Sequence, residues 1–329
     1  MAKNTNLNNA KSAKNDEFYT RIEDVEKELK NYKDFFRGKK VLCNCNDGKL
    51  NGTWSAFAQY FSMNFEHLGL KKLTCMSYNE NGCGMKYVYC GDRNGNCIAD
   101  DFEWEVSELK GHGDFSDEEG CQMMQECDVV VTNPPFSLFH DFVAQLVKHN
   151  KKFLVIGNMN AIGWNDIFPH IKNEKIWLGI SAPRAYSTPL NGVENAKTQY
   201  EKDGIVYQKF GNHVWFTNIE HSKCNQPLDL YKKYNPKDYP HYDNFDAIEV
   251  KKVSEIPCDW DGLMGLPITM MNNFDHNQFE IVGLLCDNKA DNINTFNGTP
   301  TFTDEKHKKS KCAVLNGKRL FNRILIRRK

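Results

Sequence analysis

Asn133, Pro134, Pro135 and Phe136 stand in succession: an amide, two rigid imides and an aromatic ring. Two adjacent prolines fix two backbone φ angles and remove two N–H donors, which leaves a stiff turn whose carbonyl groups can face inward. Such a turn suits a planar amine. The side-chain oxygen of Asn133 and the carbonyl of Pro134 would accept the two N–H bonds of an exocyclic amino group, and Phe136 would stack on the ring that carries it. Both acceptors raise electron density on a nitrogen whose lone pair is otherwise delocalised, so in-line attack on a nearby methyl sulfonium needs little help from a general base. Proline also ends strands in ordinary turns; what favours chemistry at this turn is the segment in front of it.

That segment, Asp128 to Thr132 (DVVVT), is β-branched and apolar on both faces, as central parallel strands are, and it places the tetrapeptide at the carboxyl edge of a sheet. Lys39 to Asn46 (KKVLCNCN) is a second buried strand. It ends in Asn, Asp and Gly and leads into a helical pattern carrying Trp54, Phe57, Ala58, Phe61, Phe65 and Leu68 on one face. Lys72 to Ser77 predicts a short strand, and the alternating pieces Lys86 to Cys90 and Phe102 to Val106 predict a hairpin. Phe139, Phe142, Val143, Leu146 and Val147 mark a helix after the tetrapeptide; Lys151 to Asn158 gives another strand and Trp164 to Ile171 a short helix. Strands alternating with amphipathic helices predict an α/β fold with a mostly parallel sheet covered on both sides, and ligands at the carboxyl ends of its strands. Beyond residue 175 the pattern turns to short strands, such as His213 to Ile219, and to polar loops with Pro183, Pro189, Pro227, Pro236 and Pro240. Two regions are therefore expected, 1–175 and 176–329. Leu320 to Arg327 again reads as a strand, so the C-terminus should pack back on the body.

The 329 residues, with 40% hydrophobic and 12% aromatic side chains, can build a substantial core. The apolar runs are far shorter than the roughly 20 residues a membrane-spanning helix needs, and the mean hydropathy is −0.63. The first residues lack the apolar stretch of a secretory signal, which makes the cytoplasm the expected location and a membrane an unexpected partner. Twelve cysteines in such a chain are expected as reduced, mostly buried thiols. Cys83, Cys90 and Cys97 raise zinc, but no C-x-x-C or Cys/His pair at finger spacing accompanies them, so no metal is expected. Net charge is −1, so no global field calls for a polyanion. Residues 301–329, however, hold ten basic side chains against Asp304 and Glu305, while residues 100–128 hold eleven acidic groups against Lys110. A basic tail fits phosphates as well as it fits a solvated surface.

Five segments carry a likeness: KNDEFYTRIEDVEKEL at 14–29, VLCNCND at 41–47, VVVTNPPF at 129–136, GNHVWFTNIE at 211–220 and LMGLPITMM at 263–271. On these the chain resembles the EcoRI-type family of DNA adenine-N6 methyltransferases through most of its length. The resemblance implies a Rossmann-like core that uses S-adenosylmethionine and methylates adenine in duplex DNA, with the elements after the core reading the DNA sequence. It fits either a restriction–modification enzyme, with a cognate restriction endonuclease acting on the same site as partner, or an orphan modification enzyme without one. Asn133, Pro134, Pro135 and Phe136 match the family's catalytic loop, with amino-group binding on Asn133 and Pro134 and base stacking on Phe136.

Phe18, Tyr19 and Thr20 match the N-terminal motif beside the methionine part of the cofactor. Asn44, Asn46 and Asp47 occupy the turn after the first strand. Methyltransferases at large have a glycine-rich loop there, whereas the EcoRI-type family has this Cys- and Asn-containing turn. Asp114 and Phe115 resemble the pair that contacts the cofactor's adenine, and Asn79 stands where an acidic residue usually holds the ribose. Reaching an adenine amino group in a duplex requires the base to be flipped. Lys197, Lys202, Lys209, Lys318, Arg319, Arg323, Arg327 and Arg328 are the expected phosphate anchors, and Arg184, Asn191, Asn195 and Gln199 the expected base readers. Trp215 and Phe216, an aromatic pair in an alternating strand, are expected in the core. The competing readings are an amino-group methyltransferase acting on RNA or protein glutamine, which usually carries the glycine-rich loop, and a non-catalytic nucleic-acid-binding protein.

Overall fold

Val41, Leu42 and Cys43 in one strand and Val129, Val130 and Val131 in another are buried on both faces, and such strands form only where helices cover a sheet twice. In a computed structural model of the chain, residues 19–50, 52–187, 198–202, 205–286 and 311–329 are described. They fall into two compact units, one within Met1–Asn158 and Gly179–Ile219, the other within Met159–Leu178 and Glu220–Lys329.

In the first unit the strands are β1 (Tyr19–Thr20), β2 (Lys40–Cys43), β3 (Lys72–Ser77), β4 (Met85–Tyr89), β5 (Trp104–Glu108), β6 (Val129–Thr132), β7 (Lys152–Asn158), β8 (Ala185–Ser187), β9 (Gln199–Lys202), β10 (Ile205–Lys209) and β11 (His213–Thr217). The longer helices are α1 (Ile22–Leu29), α2 (Ala56–Met63), α3 (Glu118–Glu126) and α4 (Phe139–Lys148). Seven strands lie side by side in the order β11-β7-β6-β2-β3-β4-β5. The centre is parallel, through β3-β2, β2-β6 and β6-β7. The flanks are antiparallel, through β3-β4, β4-β5 and β7-β11. The expectation of a mostly parallel sheet is thus corrected: only the four strands joined by strand–helix–strand crossovers run parallel, because the hairpin β4-β5 and the strand β11 return alongside a neighbour.

One core cluster takes Val25 and Leu29 from α1, Phe57 and Phe61 from α2, and the alternate residues Val41, Val129 and Leu154 of the sheet. The interleaved Leu42, Val130 and Val155 point to the other face, where α3 packs on β2 and α4 on β7. Trp215 and Phe216 are buried core residues. A separate small sheet in the same unit has the order β1-β8-β10-β9, all antiparallel.

The second unit contains α5 (Phe168–Lys172), β12 (Ile248–Glu249), β13 (Met264–Pro267), β14 (Phe279–Leu285) and β15 (Arg323–Arg328), the strands in the order β12-β13-β15-β14. The C-terminal strand β15 does pack back, antiparallel between β13 and β14. This placement corrects the reading of the basic tail. Arg323 makes a bidentate pair with buried Glu249, Arg327 bonds to Glu280 at 3.0 Å, and Arg328 donates to the carbonyl of Cys258. These guanidinium groups serve the unit's own fold, while Lys318 and Arg319 lie exposed in a short hairpin. Lys306, Lys308 and Lys309 lie outside the described residues. Six of the twelve cysteines are buried and Cys83, Cys90 and Cys97 are exposed, so burial is less general than expected.

Candidate active site

Parallel pairing of β2 with β6, Leu42 opposite Val130, brings the carboxyl ends of both strands to one sheet edge. The turns that follow them, Asn44 to Gly48 and Asn133 to Phe136, are therefore neighbours, and Thr132 Oγ1 donates a hydrogen bond to Asp47 Oδ2. A cleft opens between these turns. Asn133, Pro134 and Pro135 form one wall, Cys45, Asn46 and Asp47 a second, and Tyr19 and Thr20 a third. The start of α2 (Ser55 to Phe57) completes it.

Local chemistry explains each wall. Asn46 has φ +59°, a left-handed conformation that glycine adopts freely and that Asn, among non-glycine residues, tolerates. Its Oδ1 accepts from the N–H of Tyr78 at 3.3 Å, tying the turn to the end of β3. Ser55 caps α2, accepting from Ala58 N at 3.1 Å while its hydroxyl donates to the Asp47 carbonyl at 2.9 Å. Tyr19 and Thr20 are held from behind by β8, with Thr20 opposite Tyr186. After the prolines the chain enters α4 through Leu138 N donating to Pro135 O at 2.9 Å. Gly157 on β7 lets that helix start close to the sheet, since a Cβ there would come within 2.3 Å of the Phe139 ring.

Two groups are tuned by burial. Asp47 is 5% exposed, and loss of hydration raises its carboxyl to about 7, against the opposing pull of the Thr132 hydrogen bond. His213 is driven down to about 4 by burial alone and is neutral at physiological pH. Its ring lies 4.2 Å from that of Phe136, and its Nδ1 is 3.1 Å from the Tyr186 hydroxyl. Phe210 and Tyr186 flank the same phenyl ring, with centroids at 6.2 and 6.1 Å.

The structure thus brings together seven of the expected site residues in the cleft walls, Tyr19, Thr20, Asn46, Asp47, Asn133, Pro134 and Pro135. Phe136 adjoins them by sequence and packs in its own aromatic cluster. Asn44 is buried just behind the turn. Asn79, Asp114 and Phe115 are not in the walls. The Asn79 side chain serves its own turn, accepting from Asn81 N and donating to Cys83 O. Asp114 accepts from Ser116, and Phe115 is buried edge-to-face on Phe142. These residues keep to the same carboxyl edge, as Asn79 N donates to His112 O two residues before Asp114. Phe18, Asn191, Asn195 and Lys197 lie outside the described residues.

Sequence reasoning missed Thr132, Ser55, Tyr186, Phe210 and His213 as parts of the site. Thr132 and His213 lay within the quoted segments 129–136 and 211–220 but were given no role there, and Ser55, Tyr186 and Phe210 carried no such signal.

A family model for "Adenine-specific methyltransferase EcoRI" matches residues 6–329. The chain is 39% identical to the Type II methyltransferase M.MgeORF184P of Mycoplasma genitalium over 98% of both chains. It is 39% identical to the Type II methyltransferase M.EcoRI of Escherichia coli over 85% of this chain and 89% of that one. With the Type II methyltransferase M.MpnI of Mycoplasma pneumoniae the identity is 37% over 98% of both. No solved structure matches the chain significantly.

Proposed function

Since the chain belongs to the EcoRI family of adenine-specific methyltransferases, we propose that it transfers a methyl group from S-adenosylmethionine to the N6 amino group of an adenine turned out of duplex DNA. It is a DNA-modifying enzyme of the Type II kind, and restriction–modification is the setting that fits. The observation that carries the detailed reading is the cleft itself: the rigid Asn133-Pro134-Pro135 turn faces the Asn46–Asp47 turn across it.

The residues present fit the methyl donor. Thr20 Oγ1 in the wall and Asn44 Nδ2 behind it are buried without a hydrogen-bond partner, a demand that a polar ligand would meet. Asp47 is a buried carboxyl group that a neighbouring cation would ionise. Tyr19, Thr20, Asn46 and Asp47 would hold the amino-acid end, and Ala56 and Phe57 offer an apolar surface. Asn79, Asp114 and Phe115 remain our assignments for the nucleoside end, on their shared edge with the cleft. S-adenosylmethionine supplies, when bound, an electrophilic methyl group on a positively charged sulfur.

Asn133 and the Pro134 carbonyl accept the adenine amino group's N–H bonds, which orients it and localises on nitrogen the lone pair otherwise delocalised into the ring, while Phe136 stacks on the base. With the donor bound, the amino nitrogen would gain the methyl group as the methyl's bond to sulfur breaks, leaving a neutral thioether, and would give up one proton to solvent. No strong base is needed, because the nitrogen becomes more acidic as the bond forms. The region after residue 175 is our candidate for reading the DNA, with exposed Arg184, Lys202 and Lys209 among its donors.

Asn133→Ala tests this reading. The variant should bind duplex DNA and S-adenosylmethionine as the wild type does and lose methyl transfer by at least about 100-fold, measured as N6-methyladenine in digested product. An Asn133→Ala protein of near wild-type turnover would overturn the mechanism.

A further inference from the structure

The second unit carries a groove separate from the methyl-transfer cleft. Lys223, Lys251 and Lys252 line it, against a single carboxylate, Asp229, so the groove carries two net positive charges. Lys251 and Lys252 are exposed, on the segment between β12 and the short helical turn Val253–Glu255. The facing wall is Pro267, Thr269 and Met270. These belong to LMGLPITMM, a segment singled out in the sequence that no step of the chemistry employs. The wall is stiff: Pro267 ends β13, whose register with β15 is fixed at Pro267↔Arg323. Exposed Thr269 and Asn273 add neutral hydrogen-bonding groups along it.

We infer that this groove binds the phosphate backbone of the duplex DNA substrate, with Lys251 and Lys252 as the anchoring cations. The inference rests on the DNA reading above and locates a contact surface for it. A chain of net charge −1 has no general attraction for a polyanion, so affinity must come from a local surface. The strand at the C-terminus is a poor one, because Arg323, Arg327 and Lys329 face Glu249, Glu280 and Glu174. Lysines on a firm polar groove hold phosphates as point charges without reading sequence.

The test compares wild type with the double variant Lys251→Ala/Lys252→Ala, both sites being exposed enough to leave folding intact, as a thermal melt would check. Equilibrium binding to a duplex oligonucleotide is measured between about 50 and 200 mM salt. The slope of log affinity against log salt should fall by about 2. The loss of affinity should be equal for cognate and scrambled duplexes, with S-adenosylmethionine binding unchanged. An unchanged slope would overturn the inference, as would a loss confined to single-stranded RNA with duplex binding intact. If the wild type itself neither binds nor methylates duplex DNA, it is the functional reading that has failed rather than the placement of the groove.

Discussion

Asp47 joins the two halves of the site, because the same carboxyl group lines the cleft and accepts from Thr132, the residue before Asn133. Its position costs stability at neutral pH. The folded protein holds this proton up to about pH 7, whereas the unfolded chain releases it near the ordinary aspartate value of about 3.9. Between those values the unfolded state has fewer bound protons, so ionisation of Asp47 weakens folding by roughly 1.4 kcal/mol per pH unit, fully expressed above pH 7 and absent below about pH 4. Asp47→Asn keeps an acceptor for Thr132 and removes that slope. Relative to wild type, its Tm without ligand should therefore rise as pH goes from 5 to 8; a difference that does not change with pH would show that Asp47 is ionised in the fold. The identities Asn46, Asp47 and Asn133 were legible in the sequence because each follows a strand whose apolar run announces it. The turns of Asn79 and Asp114 show the limit of that method. A short polar side chain in a loop can face a ligand or cap its own backbone, and the two uses have the same sequence.

At the level of elements, β8 supports both sides of the chemistry. The backbone of Tyr186 pairs with Thr20 of the cleft wall, and its ring packs on Phe136 and meets His213. Thr20 and Phe136, 116 positions apart, are thereby set by one strand. The segment Ile180 to Arg184 that feeds it is fixed by α1: Glu28 accepts from Ile180 N at 2.8 Å and from Ser181 N and Oγ at 2.6 Å. Tyr186→Phe should cost about 1–3 kcal/mol in urea unfolding, since it leaves a buried imidazole nitrogen without its hydroxyl partner. Tyr186→Ala should cost about 3–5 kcal/mol and also lower kcat, as Phe136 loses its backing. Equal stability of Tyr186→Phe and wild type would mean that the contact with His213 contributes nothing. The strands and helices around NPPF were readable from periodicity, including the hairpin at β4-β5. The role of β8 was not, because it depends on pairing across 166 residues of chain, from Thr20 to Tyr186, and no local pattern encodes that register.

Across the whole molecule, charge is used locally. The basic residues of the C-terminal strand, which by composition read as a tail for phosphates, are neutralised within the second unit by Glu249, Glu280 and Glu174, carboxylates 47 to 155 positions away in sequence. Composition counts those charges but cannot pair them. The two compact units are each built from two stretches of chain, so a linear reading in terms of a change in pattern near residue 175 describes composition rather than folding units. Among the described residues no helix is long and apolar enough to cross a membrane. The account's central claim is adenine N6 methylation of duplex DNA at the NPPF turn. It is tested most directly by incubating the purified protein with labelled S-adenosylmethionine and unmethylated duplex DNA, then digesting the DNA to nucleosides. Label in N6-methyladenine is the predicted result. Label in cytosine, or no label in DNA while RNA or protein from a cell extract becomes labelled, would contradict it.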